Sequence, residues 1–475
     1  MAKRNNYKKH HIIGGWKLDS LLGKGGNGEV WAAKNNDKLG AIKLLKNIRE
    51  SIYTRFKAEV YAVNNNQDID GVVPIKDFGL PEDTSRSIPW FVMPIATRFS
   101  DWRKDKNIFP VVKEMLMLAK TLEQLHSRNV HHRDIKPANI LFLNDRLYLS
   151  DFGLVKYPDR KDVTEKGSDV GPKFTMAPEM RRYASEANGS CADVYSFAKT
   201  LWIAITNDLK CFDGQYNVFS TISVNNYCKG LYTKTLNDLL SDCTEHTPEK
   251  RPNMSEVVER LENWIKINDD FHDKNLTEWF DLQNKLFPAG APSSVTWTNT
   301  EDIITVLNEI AHIPSLNHTF LPGGGGNTFT DVKFAHEKGF IALKISTKMY
   351  DILKPKKLTY ESFGVDPQWN YFRLEAEEVE NTGVYKNDSY VYPYEELIEI
   401  APVIYIERHH WDNNEYNGKE LPEEAQITCR YVKGSFVIFS TRSYYNQVSA
   451  TYDGRHDKFS EKEFREYIER SAQNV

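Results

Sequence analysis

The stretch His131-His132-Arg133-Asp134-Ile135-Lys136-Pro137-Ala138-Asn139 decides how the rest of the chain is read. Within one loop it sets a carboxylate, an ammonium two residues on and an amide five residues on. Upstream, Leu22-Gly23-Lys24-Gly25-Gly26-Asn27-Gly28-Glu29-Val30 is a glycine-rich turn between strand-like runs. Glycines at 23, 25 and 28 let the backbone approach phosphates without a side-chain clash and aim N–H groups at them. A plain turn has the same composition, and a dinucleotide loop shares the spacing but leads into a helix. Here Val30-Trp31-Ala32-Ala33 reads as a strand, and a second strand carries Ala41-Ile42-Lys43. Downstream, two short strands bracket an Asn144-Asp145 turn and lead to Asp151-Phe152-Gly153.

In this order and at these distances, the motifs resemble the eukaryotic-type (Hanks-type) Ser/Thr protein kinases over about residues 16–267. The resemblance implies an α+β bilobal kinase fold, with an N-lobe at 16–96 and a C-lobe at 97–267. It also implies transfer of the γ-phosphoryl of ATP, with Mg²⁺, to Ser or Thr hydroxyls of proteins. By that likeness Asp134 accepts the proton of the acceptor hydroxyl, and Lys136 neutralises the migrating group and marks the Ser/Thr branch. Asn139 and Asp151 hold the metal. Lys43 meets the α/β-phosphates and is held by a glutamate from a nearby helix. Glu59 takes that place ahead of Glu50, which sits too near Lys43 in sequence. Gly23, Gly25, Gly28, Val30 and Ala41 line the nucleotide, Met93 stands behind the adenine, and the Pro94–Ala96 backbone, with Ile95 at its centre, bonds its edge.

The same likeness makes Thr175 a bridge between Asp134 and Lys136, pairs Glu179 with Arg251, and has Asp193 cap the catalytic-loop backbone. Arg133 is then placed to pair with a phosphate in the activation segment, where Thr164, Ser168 and Tyr157 are acceptors and autophosphorylation at Thr164 or Ser168 is expected. Gly40 departs from the family, which usually has Val there. A pseudokinase scaffold usually lacks one of these groups, and none is missing; a small-molecule kinase of related fold fits less well with the intact Ala177-Pro178-Glu179. The wording from Gly171 to Met180 is similar to that of bacterial members, some of which act in abortive infection against phage.

Helical periodicity runs from Val111 to Ser127 with Met115, Leu118, Leu122 and Leu125 as its buried stripe, and around Glu59 with Ile52, Phe56 and Val63. Asn253 and Glu256 have capping-box spacing ahead of Val257, Leu261 and Trp264. Residues 268–300 read as a linker with a helix carrying Trp279, Phe280 and Leu286, the loop Pro288–Ser294 being the boundary. Residues 301–475 read as a separate mixed α/β domain that senses a signal or recruits a substrate or partner. It has a helix at Ile303, Ile304, Leu307 and Ile310, strands at 331–334, 340–345, 371–374, 426–431 and 435–440, and a last helix capped by Ser460 and Glu463. Gly323–Gly326 is a flexible loop, because no Lys-Ser/Thr follows it. His409-His410-Trp411-Asp412 is a surface polar cluster, because neighbouring strand residues face opposite ways.

The 475 residues exceed one ordinary core. A net charge of -5 gives no field for nucleic acid or an anionic membrane. Five scattered cysteines without a Cys-x-x-Cys pair point away from zinc and disulfides, toward a reducing cytoplasm. No apolar run reaches the roughly 18 residues of a membrane span. Residues 1–15 are basic, lack the apolar stretch of a secretory signal, and read as a frayed tail.

Overall fold

The computed structural model describes residues 7–25, 28–46, 48–84, 87–154, 174–181, 186–320, 326–335, 338–346, 349–362, 370–377, 383–386, 390–393, 397–401, 404–407, 428–439 and 460–473. They form two compact units, Met1–Asn268 and Asp269–Val475.

The first unit opens with β1 (Ile12–Ile13), β2 (Trp16–Lys24), β3 (Gly28–Asn35) and β4 (Lys38–Leu45), then α1 (Glu50–Asn64), β5 (Asp77–Gly79) and β6 (Trp90–Met93). The strands make one antiparallel sheet in the order β1-β2-β3-β4-β6-β5. Trp16, Leu18, Ile42, Leu44 and Val92 are buried on it by strand alternation. This sheet explains Gly40. A Cβ there would lie 2.4 Å from Val92 Cγ1 and 3.3 Å from the Trp16 ring, so the space a valine would fill belongs to neighbouring side chains.

Residues 7–15 correct the reading of a frayed tail. The Tyr7 hydroxyl donates to the Leu45 carbonyl at 2.6 Å, and β1 pairs with β2. Tyr7 is buried, so one aromatic anchor outweighs the polar composition around it.

A second layer follows: β7 (Thr97–Arg98), α2 (Phe99–Arg103), α3 (Ile108–Ser127), β8 (Ile140–Leu143), β9 (Arg146–Leu149), α4 (Gly189–Thr206), α5 (Lys234–Cys243) and α6 (Met254–Asp269). Met115, Leu118, Leu122 and Leu125 are fully buried. Asn144 and Asp145, at φ 47° and 60°, make the left-handed two-residue turn that joins β8 to β9. Helix α4 is buried on nearly every side, as suits the mostly apolar stretch from Val194 to Ile205, which also encloses Ser196, Lys199 and Thr200. Asn188 caps its start through the N–H groups of Ser190 and Cys191, and Asn207, at φ 57°, ends it. The α6 capping box forms: Asn253 N–H donates to Glu256 at 2.8 Å and Glu256 N–H donates to Asn253 at 3.0 Å.

The second unit contains α7 (Phe271–Leu286), β10 (Ser294–Trp297), α8 (Thr300–Ala311), β11 (His318–Phe320), β12 (Gly326–Thr328), β13 (Val332–Phe334), β14 (Ile341–Ser346), β15 (Met349–Leu353), β16 (Pro355–Glu361) and β17 (Tyr371–Ala376). It continues with β18 (Gly383–Lys386), β19 (Tyr390–Pro393), β20 (Leu397–Ala401), β21 (Ile404–Glu407), β22 (Thr428–Val432), β23 (Gly434–Phe439) and α9 (Glu461–Gln473). One sheet has the order β10-β16-β17-β23-β11-β12, a second the order β13-β14-β15-β22-β19-β18, and β20 and β21 form a hairpin. The pairing of β15 with β22 is parallel, which makes the second sheet mixed.

Residues 269–300 are not a linker: α7 buries Trp279 and Leu282 in the core of this unit, and β10 pairs with β16. The Pro288–Ser294 loop joins α7 to β10 inside the unit. Tyr371, Phe372, Arg373 and Leu374 are all buried because β17 is covered on both faces. Trp279 of α7 meets Phe372 edge-on at 5.5 Å, and Phe464 of α9 meets Tyr371 edge-on at 4.8 Å. Thr164, Ser168, Tyr157, the glycines at 323–325 and His409–Asp412 lie outside the described residues.

Candidate active site

A cavity of about 770 Å³ opens between the strand layer and the helical layer of the first unit. Leu22, Gly23, Gly25, Val30 and Ala41 line it from the sheet, and Lys136, Ala138, Asn139, Leu141 and Asp151 from the helical side. Met93 and Pro94 line its back, whereas Ile95 is turned out and 44% exposed. A Cβ on Gly28 would stand 2.7 Å from the Leu44 carbonyl, so the loop can double back on β4 only without a side chain there.

Strand β4 aims Lys43 into the cavity and α1 meets it. Lys43 Nζ lies 2.6 and 2.8 Å from the two Glu59 carboxylate oxygens and 3.2 Å from Asp151 Oδ1. Glu59 is buried, while Glu50 is exposed at the start of α1. Burial alone would discharge the Lys43 ammonium, but the Asp151 and Glu59 carboxylates outweigh it and hold its pKa above the usual lysine range. Burial pushes the Glu59 carboxyl up to about 7, against the pull of Lys43. The Lys43 charge holds the Asp151 carboxyl below the ordinary range despite burial.

Opposite stands the acid loop. Lys136 Nζ is 3.0 and 2.8 Å from the Asp134 oxygens, and Asn139 Nδ2 donates to both the Asp134 carbonyl and its Oδ2, each at 2.8 Å. Burial raises the Asp134 carboxyl, with Lys136 working against it. Since Asn139 donates through nitrogen, its Oδ1 is the atom suited to a cation. The Thr175 hydroxyl is buried at the cavity edge and bonds neither Asp134 nor Lys136; it has no hydrogen-bond partner among the described residues.

Asp193 holds the loop backbone. Its Oδ2 accepts from His132 N–H at 2.7 Å and its Oδ1 from Arg133 N–H at 2.6 Å, while His126 Nε2 lies 3.0 Å away. Burial opposes its charge, but the hydrogen bond and charge of His126, helped by the Arg133 N–H, prevail and keep its carboxyl low. Arg133 and Asp151 both sit at positive φ, 65° and 62°, conformations that need such support in residues other than glycine. Glu179 and Arg251 form a bidentate pair at 2.7 and 3.1 Å.

His132 has no role in the sequence reading, yet it joins the two halves of the site. Its Nδ1 accepts from Asp134 N–H at 3.3 Å, so Nε2 carries the proton and donates to the Ser150 carbonyl at 3.1 Å. Its ring meets Phe152 edge-on at 4.7 Å. The doubled histidine at 131–132 was the available signal, but only burial separates the two: His132 is fully enclosed.

A bilobal unit with a lysine–glutamate pair facing an aspartate–lysine–asparagine loop across one cavity is the architecture of a phosphotransferase of the kinase class. Residues 16–264 match the protein kinase domain, and the chain belongs to that family. It is 26% identical over 275 residues to the serine/threonine-protein kinase STY17 of Arabidopsis thaliana, covering 54% of this chain and 46% of that protein. It is 30% identical over 263 residues to the dual specificity protein kinase shkB of Dictyostelium discoideum, covering 51% and 39%. With the serine/threonine-protein kinase PknE of Mycobacterium tuberculosis it shares 29% over 202 residues, covering 41% and 35%. The chain therefore spans less than half the length of these relatives. Among the described residues no helix is long and apolar enough to cross a membrane.

Proposed function

We propose that this chain is an ATP-dependent protein kinase that phosphorylates Ser and Thr in proteins. The observation that carries the reading is the position of Lys43, bonded to both Glu59 and Asp151 in the cavity that also holds Asp134, Lys136 and Asn139. Lys43 binds and orients the α/β-phosphates, kept charged by its two carboxylates. Asp134 accepts the acceptor hydroxyl's hydrogen bond and then its proton at a carboxylate oxygen. Lys136, now held by Asp134, is near enough to follow the developing charge. Asn139 and Asp151 offer the hard oxygen donors that Mg²⁺ prefers. When bound, Mg²⁺ would neutralise the β- and γ-phosphate oxygens. Thr175, whose buried hydroxyl has no hydrogen-bond partner among the described residues, would bond the acceptor hydroxyl or the Asp134–Lys136 pair once substrate is present.

Relatives named as Ser/Thr kinases and the lysine two residues after Asp134 support hydroxyl acceptors of Ser and Thr. Labelled ATP given to wild type and to Asp134→Ala tests the proposal. Label in protein Ser or Thr with wild type only supports it; equal label in both defeats it, and label in a small molecule alone moves the assignment to a small-molecule kinase. Mapping the wild-type product at Thr164 and Ser168 tests autophosphorylation, and plating of phage on cells with either form tests a role in phage defence.

A further inference from the structure

We propose that Arg98 is a positioning residue that straps the glycine-rich loop down over bound nucleotide, an inference that rests on the kinase reading above. The β2–β3 ladder skips at Leu22: Leu21 pairs with Trp31 and Gly23 with Val30, with a register shift between them. That bulge leaves the Leu22 carbonyl outside the ladder, immediately before the first glycine of the loop. Arg98 Nη2 donates to this carbonyl.

Arg98 belongs to the other side of the cavity. It lies in β7 and pairs with Leu141 of β8, so its backbone is fixed to the floor. Its neighbour Phe99 is anchored in the core at 2% exposure. Both Arg98 and Leu22 line the cavity. One exposed side chain thus spans from floor to roof of the cavity, carried by a different strand from Lys43. A nucleotide held between the sheet and the helical layer lies in the cavity that this bridge crosses, so the bridge opposes its release. The guanidinium binds the loop through a charge–dipole hydrogen bond, so the strap is reversible, and it acts on retention rather than on the transfer step.

The test is stopped-flow release of a fluorescent ATP analogue with Mg²⁺ from wild type, Arg98→Met and Arg98→Lys, together with KM and kcat for ATP. Methionine keeps the apolar stem and removes the donor; lysine restores one donor. Release from Arg98→Met is expected to be about three- to tenfold faster, the range for losing one charged, exposed hydrogen bond. The loss is expected in KM rather than kcat, and Arg98→Lys is expected between the two. If wild type binds the analogue and Arg98→Met releases it at the wild-type rate, the strap is wrong and the kinase reading stands. Faster release with no recovery in Arg98→Lys also overturns it, since packing rather than the donor would then be responsible. If wild type binds no ATP analogue, the kinase reading itself fails and takes the strap with it.

Discussion

Replacing Arg251 with methionine removes five hydrogen bonds at one stroke. Its Nη1 donates to Glu179 at 2.7 Å and to the Cys191 carbonyl at 3.0 Å. Nη2 donates to Glu179 at 3.1 Å and to the His246 carbonyl at 3.3 Å, and Nε to the Glu245 carbonyl at 2.7 Å. The guanidinium also lies 4.8 Å over the Tyr195 ring. Its side chain is fully buried and that of Glu179 is only 16% exposed, so water replaces the lost partner only in part. Breaking such a pair from one side costs about 3–5 kcal/mol, because the remaining carboxylate is stranded. For a domain of this size that lowers the melting temperature by roughly 6–20 °C. Calorimetry identifies the relevant transition as the one that Mg-ATP moves upward. The double variant Arg251→Met/Glu179→Leu, which removes the stranded charge, should lose less than Arg251→Met alone. A fall below about 1 kcal/mol in Arg251→Met, or no recovery in the double variant, would refute the argument from burial.

Gly40→Val should destabilise the first unit by about 1–3 kcal/mol through overpacking against Val92 and Trp16, read as a lower denaturation midpoint. Adding Val92→Ala should return part of the loss. Lys199 is buried with Nζ 2.7 Å from the carbonyls of both Phe212 and Gly214. Burial lowers its pKa to about 8. Below that value both folded and unfolded chains hold the proton, and the cost of burying the cation is complete. Between about 8 and the ordinary lysine value the unfolded chain binds more protons, so stability rises with pH. Urea titrations should show wild type gaining up to about 3 kcal/mol on Lys199→Met across that interval; a constant gap between them would show that Lys199 keeps its proton.

Much of the site was legible because its chemistry depends on local spacing. The offsets from Asp134 to Lys136 and Asn139 lie within one loop, and the capping box at Asn253 and Glu256 within one helical turn, so sequence distance is nearly spatial distance there. The two-residue turn at Asn144-Asp145 was legible for the same reason, since it needs only residues that tolerate positive φ. Readings failed where burial by distant residues decided the outcome. Tyr7 sits in a polar, basic stretch, and nothing local announces that its hydroxyl meets Leu45. Residues 269–300 look like a connection until Trp279 and Trp297 find the aromatic core of the second unit.

Sequence by itself determined most of the residues that face the cavity and the family to which residues 16–264 belong, but neither β1 nor the outward turn of Ile95. Periodicity, glycine placement and short-range spacing act over a few residues and survive in a linear string. Tertiary structure alone decided that His132 is the buried tautomer joining Asp134 to Ser150 and that Gly40 yields its space to Trp16 and Val92. It also decided that β17 is enclosed on both faces and that Arg98 reaches the Leu22 carbonyl. Each depends on groups far apart in the chain meeting at van der Waals or hydrogen-bond distance, and such contacts exist only once the layers have packed.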